Sequence, residues 1–220
     1  MFNEAYKKGA FDYYHLLSGV DIPLKSNDYI HDFFDQNKGK EFVGIMDEQS
    51  CLKCYKRVRY YYFLVRYERC KYGRFIVWLN KISTKLQKVV GVKRNKDVVF
   101  KKGANWVSVT QDFVEYILSN REMIKRMFSY TFCPDEMFIQ TLLWNSKFKD
   151  NLYVPSEVGE YNSCVREIDW NRGSPYTWSD DDFKFLKKSK NLFARKFSSE
   201  NMSIIDKLYG YINECNGRQG

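Results

Sequence analysis

The sequence of 220 residues predicts an α/β fold in which a mixed sheet is flanked by helices. Short strand-like runs of apolar residues alternate with longer segments of helical spacing. Hydrophobic residues make up 44% of the chain and aromatic residues 18%, which is enough for a substantial core. Only 4 prolines and 12 glycines are present, so we expect no long linker. We therefore predict one domain over residues 1–200, with residues 201–220 as its C-terminal helix and tail.

The N-terminal elements begin with a short helix that leads into a buried strand, Phe11–Leu17. The segment Ser18–Leu24 then forms a loop at the carboxyl edge of that strand, where open α/β sheets bind ligands. Ser26 or Asn27 can cap the next helix. Glu41–Ile45 has the composition of a second short strand.

The middle of the chain contains a predicted strand followed by an amphipathic helix. Val58–Tyr67 is rich in tyrosine, valine and phenylalanine, which favours a strand. Apolar residues then recur at helical spacing from Phe75 to Val90, and lysines take the other face. Thr110 is a plausible cap for a further helix.

The stretch Thr131–Thr141 predicts a helix that opens with two carboxylates. Pro134 suits the first helical position, because its fixed φ fits there and its missing N–H is not needed. Asp135 and Glu136 fall in the first turn, where the helix dipole favours negative charge. A carboxylate held there can accept a proton from a substrate hydroxyl, although Pro-Asp-Glu is also an ordinary helix opening.

The C-terminal part predicts a strand at Cys164–Trp170, a loop at residues 171–178 and a last helix at about residues 201–215. Ser179 can cap a helix with Asp182 three residues on. The run of aspartates at residues 180–182 suggests a metal-binding Asp-x-Asp motif. That motif should follow a hydrophobic strand, however, so we interpret these residues as a helix start and predict no metal site.

The charge is concentrated in one segment. Between Cys51 and Lys102 there are 16 Lys and Arg residues against only Glu68 and Asp97, within a chain of net charge +9. Such a segment attracts the phosphates of a nucleotide, a nucleic acid or an anionic lipid, unless it is simply a solvated basic face.

Cysteines and hydropathy indicate a chain in a reducing compartment. Cys51 and Cys54 form a CxxC pair, but no second pair follows, and a closed zinc site needs four ligands. Scattered free thiols are the better interpretation. No run approaches the roughly 18 apolar residues of a membrane span, and the N-terminus has no apolar signal core. We expect a cytoplasmic protein, with peripheral contact to the inner face of the membrane.

Four separated blocks resemble the Core-2/I-branching β-1,6-N-acetylglucosaminyltransferases and their peptide O-xylosyltransferase relatives, most closely the bacterial members. The blocks occur in the family's order and are Leu17–Lys25, Gly103–Trp106, Cys133–Glu136 and Leu192–Phe197. The likeness extends over nearly all of residues 5–200.

The resemblance implies an inverting glycosyltransferase of GT-A-type fold that works without a metal ion or other cofactor. The family's catalytic glutamate matches Glu136, which would take the proton of the acceptor hydroxyl. Lys196 matches the lysine that binds the diphosphate of the UDP-sugar donor. Arg172 is the first candidate for the partnering arginine, and Arg166 is the second.

Further cleft residues follow from the same resemblance. Asp21 matches the aspartate of the family's Ser-Gly-x-Asp block, although an aspartate there also bonds its own turn. Trp106 matches an aromatic position near the acceptor, although a lone tryptophan is more often part of a core. Asp135 would lie in the same cleft. The implied partners are a UDP-sugar and a saccharide or glycolipid acceptor, at an anionic membrane and without nucleic acid.

Two departures from the family are visible. Ala104 stands where the family usually has serine. The family also has further sequence before its Ser-Gly-x-Asp block, including the first strand and the uridine pocket, whereas about sixteen residues precede Leu17 here. The sequence therefore suggests a member that lacks its front end. The alternative hypotheses are that the chain is a truncated, inactive remnant of a family member, or that it is a basic nucleic-acid-binding module.

Overall fold

The computed structural model describes residues 1–68, 70–154 and 159–216 and has the predicted α/β class. Its helices over these residues are α1 (Phe2–Tyr6), α2 (Asn27–Gln36), α3 (Glu48–Arg59), α4 (Gly73–Val89), α5 (Gln111–Ser119), α6 (Arg121–Phe128), α7 (Phe138–Trp144), α8 (Glu160–Ser163), α9 (Phe183–Lys188) and α10 (Met202–Asn216). Its strands are β1 (Tyr13–His15), β2 (Ile22–Pro23), β3 (Ser108–Thr110), β4 (Arg166–Ile168) and β5 (Phe193–Arg195). The predicted tail at residues 217–220 lies outside the described residues.

The strands form two small sheets. In the mixed sheet, of order β2-β5-β4, the central strand β5 pairs antiparallel with β2 and parallel with β4. In the second sheet β1 pairs antiparallel with β3, with Tyr14 opposite Val109. The strand β4 confirms the strand predicted at Cys164–Trp170, whereas β5 lies in the segment Leu192–Phe197, for which no strand was predicted.

The chain divides into two compact units, which are described separately. The helical unit consists of Met1–Gly9, Ile45–Asn105 and Asp112–Asp150. The sheet unit consists of Ala10–Gly44, Trp106–Gln111 and Asn151–Gly220. The predicted single domain over residues 1–200 stays a prediction.

Each unit has buried apolar clusters of its own. One cluster of the helical unit joins α3, α6 and the segment before α7; its buried members are Cys54, Val58, Phe100, Phe128 and Met137. In the sheet unit, one cluster packs β2 and β5 against α9 and α10; its members include Ile22, Ala194, Leu186, Ile204 and Leu208. A second cluster is rich in aromatic residues and includes Phe34, Phe42 and Phe193. The two clusters of the sheet unit include residues of two sequence blocks, Leu17–Lys25 and Leu192–Phe197.

The predicted strand at Val58–Tyr67 is wrong. Its first two residues complete α3, and a single 3-10 turn, Val65–Tyr67, follows later. Cys51, Cys54 and Val58 are spaced as one face of a helix and are all buried, so packing outweighs the strand preference of the aromatic residues. The basic last turn of α3 also complements the helix dipole.

Two further predictions hold in part. The segment Glu41–Ile45 contributes isolated bridges at Glu41 and Phe42 rather than a strand. Pro134 does begin a helical turn, but that turn is a 3-10 helix, Pro134–Glu136, and Met137 separates it from α7. Ser26 caps α2, and Ser179 forms the predicted capping box with Asp182.

The CxxC cysteines lie on α3, and both are buried free thiols. The Cys51 sulfur donates to the backbone carbonyl of Met46 at 3.4 Å, and burial raises the pKa of its thiol.

Over the described residues, no helix combines the length and the apolar character that a membrane crossing requires.

Candidate active site

In the helical unit, the Glu136 carboxylate is held by two cations. Arg57 Nη1 donates a hydrogen bond of 2.8 Å to Glu136 Oε2, and Lys102 Nζ lies 3.2 Å from the same oxygen. Oε1 accepts no hydrogen bond from any residue that the structure describes. The Glu136 side chain is 36% exposed, so this second oxygen can be reached from solvent. The arrangement fixes one carboxylate oxygen and leaves the other available to accept a proton.

The two cations also set the charge state of Glu136. Burial raises the pKa of this carboxyl, but the Arg57 hydrogen bond and the positive charge of Lys102 outweigh that effect, and the net pKa is lowered. The carboxylate is therefore ionised at neutral pH, as a proton acceptor must be.

Two of the four sequence blocks meet in this unit. Gly103 N donates to the carbonyl of Glu136 at 3.0 Å, and Gln140 Nε2 donates to the carbonyl of Ala104 at 2.7 Å. Asn105 Nδ2 donates to Asp135 Oδ2 at 3.2 Å. The Gly-Ala-Asn segment is therefore bonded to the Pro-Asp-Glu turn, through the backbone of Glu136 and the side chain of Asp135.

In the sheet unit, Asp21, Trp106 and Arg195 form one cluster. The Arg195 guanidinium lies over the Trp106 ring at 3.7 Å, and its Nη1 lies 3.5 Å from Asp21 Oδ1. Asp21 Oδ2 also accepts a hydrogen bond from Ser18 N at 2.5 Å. The Asp21 side chain is only 1% exposed and that of Arg195 12%. The tryptophan and the aspartate predicted for the cleft are thus linked through an arginine.

Lys196 follows this arginine at the end of β5. Its backbone carbonyl accepts from Trp178 N at 3.0 Å, and the next residue, Phe197, donates its N–H to the carbonyl of Val20 at 3.0 Å. The Lys196 side chain is partly exposed and makes no ion pair or hydrogen bond with the described residues. Its ammonium group therefore has no counter-ion in the described part of the chain.

Arg166 is buried within the sheet unit, 1% exposed. Its Nη1 donates to the carbonyl of Cys164 at 2.6 Å, and its Nη2 lies 3.3 Å from the Ser108 hydroxyl. The guanidinium also lies 4.3 Å from the centre of the Phe193 ring, and burial lowers its pKa to about 10. Through these contacts Arg166 packs between β4, β5 and β3.

Arg172 forms ion pairs with two carboxylates. Its Nε donates to Asp169 Oδ2 at 2.5 Å, and its Nη1 donates to Asp182 Oδ1 at 2.7 Å. The guanidinium stacks on the Tyr176 ring at 4.0 Å. The hydrogen bonds that Arg172 donates to both aspartates raise its pKa. An incoming diphosphate would compete with these partners.

The predicted site residues are distributed over both units. Glu136 and Asp135 lie in the helical unit, and the other predicted residues, Asp21, Trp106, Arg166, Arg172 and Lys196, lie in the sheet unit. Three contacting cations were not predicted from the sequence: Arg57 and Lys102 beside Glu136, and Arg195 beside Asp21 and Trp106. Arg195 stands beside Lys196 in the same block, and the other two lie within the basic segment, where 16 similar residues gave no way to choose.

Residues 2–190 match the family model described as Core-2/I-Branching enzyme. Among curated proteins, xylosyltransferase 2 of Bos taurus is 24% identical over 220 residues, which is 92% of this chain and 23% of that protein. Xylosyltransferase 2 of Homo sapiens is 26% identical over 91% of this chain and 24% of its own length. Xylosyltransferase 1 of Mus musculus is 25% identical over 92% of this chain and 21% of its own. The chain thus spans less than a quarter of these relatives.

Proposed function

The chain belongs to the Core-2/I-branching enzyme family, and from this premise we propose that it moves a sugar from a UDP-sugar to an acceptor hydroxyl with inversion at the anomeric carbon. The family is one of glycosyltransferases with a GT-A-like fold, so the resemblance and the fold class stated from the sequence are confirmed. The donor, the acceptor and the course of the reaction are our proposal.

The proposal depends most on the Glu136 carboxylate, in which one oxygen is bound by two cations and the other is not. Arg57 and Lys102 both contact Oε2, which holds the side chain in place while Oε1 can face an acceptor hydroxyl. We assign Glu136 the role of general base. As the acceptor oxygen bonds to the anomeric carbon, Oε1 takes the hydroxyl proton, and the bond to the leaving phosphate oxygen breaks.

The departing UDP carries negative charge that must be stabilised in the transition state. We assign this task to Lys196, because it has no counter-ion among the described residues, whereas Arg172 is held by two aspartates and Arg166 is buried. Fixed cations aimed at developing charge can replace a divalent metal in this role. Binding by Arg172 or Arg166 stays a prediction.

The cleft residues of the sheet unit would support this binding. Arg195, the residue before Lys196, contacts both Asp21 and Trp106. Trp106 presents a partly exposed ring, which could stack on a sugar face. N-acetylglucosamine and xylose are the donor sugars we propose, with a saccharide or glycolipid acceptor in the synthesis of a surface polysaccharide or glycoconjugate.

A transfer assay on variants of the base tests this function. The chain is incubated with UDP-N-acetylglucosamine or UDP-xylose and a panel of saccharide acceptors, and UDP release and glycosylated product are measured by mass spectrometry. Glu136→Gln keeps the size of the side chain but removes the base, and we expect a rate loss of about 100-fold or more. Asp135→Asn, in the same turn, is the matched control and should lose much less. Transfer by Glu136→Gln at the wild-type rate would refute the assignment.

A further inference from the structure

Helix α4 exposes its apolar face and packs its polar face against the rest of the helical unit. Large apolar side chains stand exposed at helical spacing, with Trp78 53% and Val89 84% exposed; the stripe consists of Phe75, Trp78, Ile82, Leu86 and Val89. These positions fall within one side of a helix of 3.6 residues per turn. An ordinary surface helix of a globular protein has the opposite arrangement.

The inward face of α4 is fixed by polar contacts. Asn80 is 6% exposed, and its Nδ2 donates to Glu68 Oε1 at 2.8 Å. Gln87 accepts from Tyr61 N at 2.8 Å and donates to the Tyr61 carbonyl at 2.9 Å. Rotating the helix to bury the apolar stripe would break these bonds and leave polar groups unpaired, so the outward orientation is specified by the sequence.

The stripe has a cationic flank. Arg74, Lys81, Lys85 and Lys88 are all exposed along the neighbouring side of α4, and the helix contains no aspartate or glutamate. None of the four forms an ion pair with a carboxylate in the described part of the chain. An apolar stripe beside unpaired cations, with tryptophan and phenylalanine at its start, has the chemistry of an interfacial helix on anionic lipid.

From these contacts we propose that α4 docks the helical unit on an anionic membrane surface, with the stripe from Phe75 to Val89 in the acyl–headgroup boundary. The four cations then lie at the level of the lipid phosphates. Tryptophan is enriched at this depth, because its ring is apolar and its N–H can donate a hydrogen bond to a polar partner. Two copies of the chain facing each other through this surface would bring eight unpaired cations together, which argues against self-association.

Docking would place the proposed base beside the membrane. A cavity of about 530 Å³ lies next to α4 and is lined by Trp78, Ile82, Lys85, Phe132 and Arg57, among others. Arg57 is one of the two residues that hold the Glu136 carboxylate. A lipid-linked acceptor would therefore present its hydroxyl within the same unit that binds the bilayer. The docking itself does not depend on the proposed transferase function.

Vesicle sedimentation tests the proposal. We expect the wild-type chain to sediment with phosphatidylcholine vesicles that contain about 30% phosphatidylserine, to bind pure phosphatidylcholine far less, and to dissociate as salt rises. The triple variant Phe75→Ser/Trp78→Ser/Leu86→Ser should lose about tenfold or more in partitioning. Lys81→Gln/Lys85→Gln/Lys88→Gln should lose the preference for the anionic vesicles.

Matched controls remove equivalent groups elsewhere. Val154→Ser/Met202→Ser/Tyr209→Ser changes three apolar residues that are also exposed, in the sheet unit. Lys8→Gln/Lys38→Gln/Lys184→Gln removes three exposed lysines outside α4. Both controls should bind vesicles like the wild type.

Several outcomes would overturn the docking proposal. These are absence of binding to anionic vesicles by the wild type, equal loss in the controls, or a dimer in light scattering that the α4 apolar variant dissociates while vesicles bind neither protein. Because every substituted side chain is exposed, circular dichroism and thermal midpoint should stay unchanged. UDP binding is read separately, so failure of vesicle binding with intact UDP binding would reject docking alone.

Discussion

Arg57 Nη1 donates a hydrogen bond of 2.8 Å to Glu136 Oε2, and so joins the last turn of α3 to the Pro-Asp-Glu turn. The guanidinium also lies 5.5 Å from the centre of the Phe132 ring. A residue from the basic segment thus positions the proposed base, which gives this segment a local structural role.

The ionisation of Glu136 provides a prediction that needs no substrate. Its pKa is lowered from the ordinary glutamate value of 4.5, against the effect of burial, by Arg57 and Lys102. We expect carboxyl ¹³C NMR to show Glu136 titrating below 4.5, and Arg57→Met to move the titration upward. Lys125→Met, which removes the partner of the exposed Glu122, is the control and should leave the Glu136 titration unchanged.

The Arg57–Glu136 ion pair also predicts how the stability of the folded state changes with pH. Because the folded pKa is lowered, the pair stabilises the folded state at pH values above the unfolded pKa. That contribution is lost as pH falls through the folded pKa. Since Glu136 is 36% exposed, solvent screens the pair and the contribution is small. An Arg57→Met variant whose Glu136 titrates as in the wild type would contradict this account.

The Asp21–Arg195 pair is expected to couple strongly in a double-mutant cycle. Asp21 Oδ1 and Arg195 Nη1 are buried without a hydrogen-bond partner and lie 3.5 Å apart. Arg195→Met leaves the aspartate buried without a counter-charge and should cost about 3–5 kcal/mol in urea unfolding. The variant Asp21→Asn/Arg195→Met should cost less than the sum of the two single changes.

An exposed pair in the same unit is the control for this cycle. Lys38 and Asp12 lie 3.4 Å apart, and both side chains are 73% exposed. Lys38→Met should therefore change the unfolding free energy by less than about 1 kcal/mol. Additive effects of the Asp21 and Arg195 changes would show that the two groups do not interact.

Thiol reactivity should follow burial. Cys70 is exposed, whereas Cys164 is buried and its thiol pKa is raised to about 12 by burial. Timed alkylation at pH 8, read by peptide mass spectrometry, should label Cys70 first and Cys164 last, because the thiolate is the reacting form. Cys70→Ser should remove the fast phase. Rapid labelling of Cys164 in the folded protein would contradict the packing around β4.

Local signals in the sequence predicted much of the secondary structure. The caps at Ser26 and Ser179, the helical periodicity after Phe75 and the strand around Ile168 are confirmed. Each depends on neighbours within a few residues. The strand at Val58–Tyr67 failed because α3 is stabilised by contacts of Cys54 and Val58 with distant residues, including Phe100 and Phe128.

The candidate site could be predicted only in part, for a similar reason. The blocks indicated Glu136 and Lys196, but the side chains that contact the predicted site residues lie far from them in sequence. Arg57 lies 79 positions from Glu136, and Arg195 lies far from Asp21 and Trp106 in sequence. The orientation of α4 was also not predictable, because periodicity shows that one face is apolar but not which face packs.

The most direct test of the central claim is stabilisation of the chain by UDP, measured as a shift in thermal midpoint with and without EDTA. If Lys196 binds the diphosphate without a metal, UDP should raise the midpoint equally in both conditions. Lys196→Ala should abolish the shift, whereas Lys184→Ala, an exposed lysine of the same unit, should keep it. No shift in the wild type, or a shift that EDTA removes or that survives in Lys196→Ala, would contradict the account.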